Sequence, residues 1–415
     1  MSFIKIKNFG PIKEGYQDDD GWIDVKKVTV FVGNQGSGKS TVAKLISTCT
    51  WIEKALVRGD YKKKWFEQTN QFKNQYLNYH RLENYFKTNG VDNTVIDYQG
   101  EAYSIRYKNG SLIIQEISDV TYQLPQIMYV PAERNFLSYL KTPKELKLSS
   151  EPLKEFLTEF DHAKNNMRGL VKLPINNVEV EYDKLNETLN LKGQDYKVKL
   201  TEASSGFQSL VPLYLVSEYL ANSVSRQSEV HKESMSSDEL NRFKKGVEEI
   251  WSNDSLTTEQ KRVALSVLSS KFNKTAFVNI VEEPEQNLFP SSQWQILQSL
   301  LEFNNINSDN KLIMTTHSPF IINFLSIAIL GEYLKRKIDI SLRANQFIPK
   351  LNKIVSEKAL VPSDVVVVYQ LNEVDGSIEK LSAPYGIPSD QNDLNNNLRE
   401  GNQLFDSLLE LEEEL

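Results

Sequence analysis

The chain has 415 residues, 40% of them hydrophobic and 25% charged. This length predicts two or three domains, or one large domain with insertions, and the composition excludes wholesale disorder. Lys and Arg number 48 against 55 Asp and Glu, and the net charge of −7 excludes a protein whose whole surface coats nucleic acid. Cys49 is the single cysteine, which excludes an internal disulfide framework and, with four His, argues against a structural zinc site.

The first elements predicted along the chain are two strands. Residues 3–6 and 28–32 have a strand pattern. The N-terminus alternates apolar and basic residues and lacks the apolar core of a secretory signal. The uncharged, apolar stretch at residues 318–331 is too short to span a bilayer. We therefore expect a cytoplasmic protein without membrane contact.

The rest of the pattern alternates helices with strands. A polar helical region is predicted over residues 39–86, and an antiparallel β patch with hairpin turns over residues 94–123. Further predicted elements are strands at 127–131, 178–200, 276–281, 311–316 and 365–371, helices at 142–168, 205–222 and from about 291, a linker at 223–240 before a polar helical insert, and a terminal helix. Buried strands that alternate with helices indicate an α/β fold class.

The segment after residues 28–32 carries the most specific motif. Gly33, Gly38, Lys39 and Ser40 match the G-x-x-x-x-G-K-[ST] phosphate loop. Glycines allow backbone N–H groups to turn toward a phosphate, and the following helix directs its positive dipole end at the same anion. We predict that Lys39 bridges the β- and γ-phosphates of ATP and that Ser40 coordinates Mg²⁺. The predicted nucleotide contacts are Gly33, Asn34, Gly36, Ser37, Gly38, Lys39, Ser40 and Thr41.

A second site is predicted where the apolar strand at 276–281 ends in two acids. Glu282 is expected to hold the hydration shell of the metal, and Glu283 to polarise the attacking water. Acidic residues also cap ordinary strands, so the acidic pair alone is a weak indicator of an ATPase. It becomes a specific indicator because a phosphate loop precedes it in the chain.

Two further segments indicate what kind of ATPase this is. Ser205, Gly206 and Gln208 open a helix whose N–H groups and hydroxyls suit a γ-phosphate, although an ordinary serine N-cap is the simpler alternative. His317 directly follows the strand at 311–316, where a structural role is the alternative to a catalytic one.

The order of these motifs resembles an ABC-type ATPase head, in the soluble branch that contains RecF, Rad50, SMC and OLD (overcoming lysogenization defect) proteins. The E-E-P-E-x-x-L-x-P acidic segment and the P-A-E-R segment at 131–134 are similar to OLD-like ATPases of prokaryotic defence. The resemblance implies a P-loop head with a mixed sheet core, an antiparallel β subdomain and a helical signature subdomain. Arg134 is expected to serve either near the nucleotide or as a structural partner of a carboxylate.

The resemblance also implies a composite site in a dimer-based homo-oligomer. The phosphate loop, Glu282, Glu283 and His317 of one copy would face Ser205, Gly206 and Gln208 of another, with His317 on the γ-phosphate. Glu282 replaces the family's usual Asp. Phe207 replaces a second signature glycine, which is expected to slow closure and turnover.

The predicted division of the chain follows the motifs. It has a nucleotide-binding core at 1–50 and 273–390, a helical insertion at 51–92, a β-rich subdomain at 93–204, a signature helix with a polar insert at 205–272, and an acidic helix at 391–415.

Among families, the chain looks most like the AriA ATPase subunit of PARIS-type anti-phage systems, with the Septu-type ATPase second. Residues after 317 lack the acidic pattern of a TOPRIM nuclease, so the resemblance implies a slow, regulatory ATPase that controls a separate effector, a TOPRIM nuclease. An acidic phage protein is the expected trigger, and nucleic acid is not required. The alternative function is a RecF-like DNA-repair ATPase that clamps DNA.

Two surfaces are candidates for partners. Basic and aromatic residues alternate over 51–66, which suits nucleic acid or an acidic protein, or else forms a solvated helix face with its aromatics in the core. Leu404, Leu408, Leu411 and Leu415 form a stripe that packs either on its own domain or on a neighbouring subunit.

Overall fold

The computed structural model describes residues 2–86, 92–117, 122–139, 149–226, 237–253, 256–270 and 274–413. The strands are β1 Ser2–Lys7, β2 Gly15–Tyr16, β3 Ile23–Val25, β4 Val28–Gly33, β5 Val95–Gln99, β6 Tyr103–Lys108, β7 Ser111–Glu116, β8 Pro125–Val130, β9 Val171–Lys172, β10 Glu179–Asp183, β11 Thr188–Lys192, β12 Lys197–Lys199, β13 Ala276–Glu282, β14 Lys311–Thr316, β15 Val366–Leu371 and β16 Ser377–Lys380.

The helices are α1 Lys39–Arg58, α2 Lys63–Phe66, α3 Glu151–Asn165, α4 Ser205–Arg226, α5 Ser237–Trp251, α6 Thr258–Ser270, α7 Pro290–Asn305, α8 Pro319–Asp339, α9 Ala344–Asn352 and α10 Asp393–Glu413. A π-helix spans Phe72–Leu77, and a 3₁₀ helix spans Ala132–Tyr139. Within the described ranges, every helix is too short or too polar to cross a bilayer.

A seven-stranded mixed sheet forms the centre, in the order β2-β16-β15-β4-β14-β13-β8. The five strands from β15 to β8 are parallel, so their carboxyl ends meet at one edge. Side chains of β4 alternate between two apolar cores on the two faces, with Val30 in one and Phe31 in the other. This layering confirms the predicted α/β fold class with a mixed sheet core.

Two smaller antiparallel sheets accompany the central sheet. One has the order β3-β1-β5-β6-β7 and contains the predicted hairpins, and the other has the order β12-β11-β10-β9. Strands therefore pair across the predicted division of the chain. β1 and β3, expected in the core, pair outside it, whereas β8, expected in the β-rich subdomain, joins the core sheet because its six residues are all buried.

The helical predictions differ in length from the structure. The region expected to be helical over 39–86 is continuous only through Arg58, because Gly59 adopts φ 75° at the C-cap and ends α1. The predicted helix at 142–168 corresponds to α3, while residues 140–148 lie outside the described ranges. Most of the predicted linker, residues 227–236, also lies outside them.

The two candidate partner surfaces differ in how far they are exposed. In the segment 51–66, Phe66 is buried, Lys62 to Lys64 are exposed, and Trp51 is only partly covered. The leucine stripe of α10 does not pack on its own domain, since Leu404 and Leu408 are 69% and 65% exposed. Leu415 lies outside the described residues.

Candidate active site

The phosphate loop lies between β4 and α1, at the edge where the parallel strands end. Gly38 is the N-cap of α1 with φ 101° and ψ 8°, a left-handed conformation that favours glycine. A Cβ at Gly38 would lie 2.9 Å from Ile12 Cγ1, so the loop also needs a small residue there. Val42, Leu45 and Ile46 anchor the helix in the core behind the loop. The loop is thus a rigid anion cradle at a helix N-terminus.

Lys39 lies inside this loop. Its Nζ donates to the carbonyl oxygens of Gly33 at 2.9 Å and Asn34 at 2.7 Å, and it lies 3.4 Å from His317 Nδ1. Burial lowers the pKa of Lys39 to about 8, although the carboxylates of Glu283 and Glu285 oppose the shift. A triphosphate in the cradle would supply the anion that holds this ammonium charged.

The acidic end of β13 comes next to this loop because β14 alone separates β13 from β4. Glu282 is buried, and its carboxylate accepts from the Tyr129 hydroxyl at 2.6 Å and from the Ala132 N–H at 3.1 Å. Each carboxylate oxygen keeps a second lone pair, so Glu282 can still accept from metal-bound water. Tyr129 fixes the orientation of this carboxylate, a role that the strand's apolar pattern did not reveal.

Glu283 has a strained backbone and a partly exposed side chain. Its φ is 45°, unusual for a residue other than glycine, and its N–H donates to the Thr315 carbonyl at 2.9 Å. Glu283 Oε1 lies 3.6 Å from His317 Nε2. Burial, with the Glu282 charge second, raises the pKa of Glu283 above its ordinary value, which suits a general base.

His317 joins the loop to the acidic pair. Burial and the Lys39 ammonium lower its pKa, although a hydrogen bond to the Gly33 backbone opposes the shift. The Glu285 carboxylate accepts from the His317 N–H and from the Thr316 hydroxyl, both at 2.8 Å. Glu285 thus positions the histidine backbone. Glu285 belongs to the E-E-P-E motif, but the sequence alone gave no sign of this positioning role.

Arg134 is completely buried and holds two segments together. It donates to the carbonyl oxygens of Glu282 and Glu283, each at 2.6 Å, and to the Ser209 carbonyl at 3.2 Å. Its role is therefore structural, but its partners are backbone carbonyls and not a carboxylate as one alternative expected. Burial lowers its pKa to about 10, so it stays charged at neutral pH. Arg134 explains how the strained turn at Glu283 is maintained.

The start of α4 adjoins the acidic segment but presents its serines outward. A Cβ at Gly206 would lie 2.8 Å from the Asn287 carbonyl, and Ser209 Oγ donates to Gln286 Oε1 at 2.7 Å. Ser204 and Ser205 are exposed, and Phe289 is 75% exposed. We call Ser204, Ser205 and Phe289 the α4 surface.

Two residues of the predicted signature point inward. Gln208 is 2% exposed and donates to the carbonyls of Leu200 and Thr201, so in this conformation its amide does not reach the α4 surface. The Phe207 ring packs against the apolar core. Within one copy the ring is thus occupied by its own core, and the expectation that Phe207 slows closure and turnover stays a prediction.

The residues present fit ATP with Mg²⁺. The Ser40 side chain is partly exposed at the start of α1, and buried Glu282 supplies a carboxylate near the same edge. Among the described residues, no group of three or more His, Cys, Asp or Glu is placed to hold a metal by itself. An ion here would therefore depend on triphosphate oxygens, as Mg²⁺ does in P-loop proteins.

Comparison with known proteins decides the family. The family model described as "AAA ATPase domain" matches residues 59–322, more than half of the chain. The chain belongs to this family. The match contains the acidic pair, the α4 start and His317, and it begins after the phosphate loop, which independently matches the ATPase motif. The protein is therefore a P-loop ATPase in family terms, and ATP is the nucleotide implied.

Solved structures similar to this chain are ATPase heads. The SMC head domain from Thermotoga maritima has 10% identity and a TM-score of 0.34, covering 92% of this chain and 98% of its own. RecF with a bound ATP analogue has 12% identity and a TM-score of 0.31, covering 92% and 97%. An ATP-binding cassette dimer bound to ADP and phosphate has 12% identity and a TM-score of 0.28, covering 92% and 99%. No curated protein sequence matches.

Proposed function

We propose that this protein hydrolyses ATP at sites shared by two copies and acts as the nucleotide-controlled sensor and scaffold of a prokaryotic anti-phage complex. In this proposal it restrains a separate effector, a TOPRIM nuclease, until an acidic phage protein arrives. The residues that carry hydrolysis are Glu283 as base, His317 beside it, the phosphate loop, and Ser40 and Glu282 toward the metal.

Within one copy, the chain's own residues prepare water for attack. The Glu283 carboxylate has a raised pKa and a partly exposed side chain, so it can accept a proton from a water molecule beside the γ-phosphate. His317 lies between Lys39 and Glu283, where it can contact both the γ-phosphate and the carboxylate. Mg²⁺, when bound, would neutralise charge on the phosphates.

The observation that carries the shared site is the exposure of the α4 surface. Its serines begin a helix of 22 residues, a strong anion site in principle, yet they face solvent beside the exposed Phe289. In the proposed dimer, Ser205 and Gly206 contact the ATP held by the second copy, and Phe289 becomes covered. Contact by Gln208 would require its side chain to leave its buried position.

Native mass spectrometry tests the shared site. Glu283→Gln with ATP and Mg²⁺ should trap a dimer with two nucleotides, because binding proceeds while hydrolysis stops. A monomer at saturating ATP would contradict the shared site. A phage-challenge assay tests the defence role: cells that express the chain with its neighbouring genes should lose protection with Lys39→Ala. Undiminished protection would contradict nucleotide control.

The exposed α10 stripe supports a partner, because its leucines are flanked by acids and lie unpacked. The RecF-like alternative is favoured by one observation, the exposed basic run Lys62 to Lys64. DNA-stimulated ATP hydrolysis with a steep salt dependence would support that alternative, and its absence would remove it.

A further inference from the structure

A cavity of about 510 Å³ lies among α1, the π-helix, β8, α3 and α5. Sites for small molecules commonly have volumes of roughly 300–1,000 Å³. The described residues that line it include no member of the phosphate loop. It meets the candidate active site only through Tyr129, whose ring forms part of the wall.

Cations dominate the charge of this cavity in a chain of negative net charge. Its lining includes the side chains of Lys54, Arg58, Arg242 and Lys274 against the carboxylates of Glu155 and Glu159. Asp60, behind the lining, binds Arg58 at 2.5 Å and Arg242 at 3.1 Å. These bonds to one shared carboxylate fix the positions of the two guanidinium groups in the wall.

Aromatic rings provide the apolar part of the lining. Trp51 and Tyr76 lie with their centroids 5.6 Å apart, and Trp51 is 39% exposed toward open space. Tyr79 donates to the Glu155 carboxylate, which leaves that carboxylate with lone pairs for other donors. Planar rings beside carboxylates suit a heterocyclic base, whose faces stack and whose amino groups donate.

A buried histidine forms part of the cavity wall. His80 is 3% exposed and lines the cavity, whereas its Nδ1 is fully covered and has no hydrogen-bond partner among the described residues. Burial lowers the pKa of His80 to about 3, so its ring is an uncharged part of the wall at neutral pH.

We propose that this cavity binds a mononucleotide, separate from the ATP of the phosphate loop. The cations hold its phosphate, the aromatic rings contact its base, and the Glu155 and Glu159 carboxylates accept from its base and ribose. The proposal gives a role to the alternating basic and aromatic residues of α1, since Trp51, Lys54 and Arg58 share one face of that helix and line the cavity.

The Tyr129 side chain lies between the cavity and the proposed metal site. The His80 and Tyr129 rings are 4.7 Å apart, and the Tyr129 hydroxyl donates to Glu282. A nucleotide against these rings is therefore expected to change ATP turnover. This coupling rests on the proposed function, whereas binding in the cavity does not.

The test measures binding with the phosphate loop disabled. In Lys39→Ala protein, AMP, GMP, CMP and UMP are titrated separately by calorimetry, with adenosine and inorganic phosphate as partial probes. We expect at least one mononucleotide to bind once per chain, roughly tenfold tighter than either partial probe. Failure of all four to bind below about 1 mM would overturn the proposal. Loss of ATP binding in Lys39→Ala tests only the phosphate loop. ATP binding at the loop and mononucleotide binding in the cavity can therefore be refuted independently.

Two matched pairs of variants locate the binding. Arg242→Gln and Gln75→Trp alter the lining, and each should weaken mononucleotide binding by roughly tenfold. Lys245→Gln and Asn74→Trp make the same changes at exposed neighbours outside the lining and should leave binding unchanged. Equal effects within a pair would overturn the site. In wild-type protein, the same mononucleotide should change ATP turnover, and Gln75→Trp should abolish that response; an unchanged turnover would overturn the coupling.

Discussion

The phosphate-loop side of the candidate site and the α4 surface differ in how far one chain completes them. Around the loop, Lys39 and Glu282 are buried and Glu285 is partly buried, and all three are bonded to backbone or hydroxyl groups of the same chain. At the α4 surface, Ser205 and Phe289 face solvent. The difference agrees with the proposed function, in which one chain positions the groups for hydrolysis and a second copy provides the other half of the phosphate contact.

The largest expected effect is on ATP turnover and arises on the phosphate-loop side of the candidate site. Glu283→Gln removes the base but keeps the shape, so turnover should fall by roughly 10²–10⁴-fold while ATP affinity stays unchanged. Single-turnover hydrolysis and equilibrium binding measure the two quantities. Glu400→Gln, at an exposed acid of α10, is the control and should keep most activity. Wild-type turnover of Glu283→Gln would remove Glu283 from the base role.

The buried guanidinium that joins the two regions should dominate stability. Arg134→Gln leaves the carbonyls of Glu282, Glu283 and Ser209 without their charged donor, which should cost about 3 kcal/mol of unfolding free energy. Urea unfolding measures this cost. Arg168→Gln changes an exposed arginine and should cost almost nothing. Equal midpoints for the two variants would contradict the structural role of Arg134.

ATP affinity should depend on pH, because the pKa of Lys39 differs between the free and the ATP-bound phosphate loop. Lys39 has its pKa lowered to about 8 by burial, and a bound triphosphate should raise it again. Below pH 8 the lysine is already charged, so ATP affinity should be level there. As the pH rises above 8, binding must take up a proton, and Kd should rise by up to about tenfold per pH unit.

Calorimetry from pH 7 to 9.5 in two buffers of different ionisation enthalpy reports both Kd and proton uptake. Lys39→Arg stays charged throughout this range and should show a level Kd. A level Kd in the wild-type protein would contradict the lowered pKa.

The smallest effect is expected at Phe207. Because its ring packs against the core of its own chain, Phe207→Gly should not accelerate turnover. It should lower the unfolding free energy by about 1 kcal/mol or more, since glycine also weakens the helix. Parallel ATPase and urea measurements check both effects. A clear acceleration would instead support the expectation from the sequence that Phe207 slows closure and turnover.

The sequence predicted features whose parts are contiguous in the chain. The phosphate loop was recognisable because its residues and the helix that follows lie within one short segment. The acidic pair and His317 each follow an apolar strand, and parallel pairing brings such strand ends together. Their placement in one half of the site was implied by the resemblance to ABC-type heads, and the parallel pairing of these strands accounts for it.

The contacts that support the site could not be predicted from the sequence because they join segments that are far apart in the chain. Tyr129 and Glu282 are 153 residues apart, and Tyr129 sits in a strand whose pattern reports only burial. Arg134 was singled out, but nothing local shows that its partners are carbonyls of a strained turn. The inward position of Gln208 likewise depends on the Leu200–Thr201 turn that it contacts.

The central claim is that the loop of one copy and the α4 start of another build a single site, and mixing two inactive variants tests it most directly. Lys39→Ala lacks the loop lysine, and Ser205→Arg blocks the α4 start. In an equal mixture, half the dimers should be mixed and contain one intact site, so about a quarter of wild-type turnover should return. Full turnover by Ser205→Arg alone, or a mixture no more active than its components, would contradict the claim.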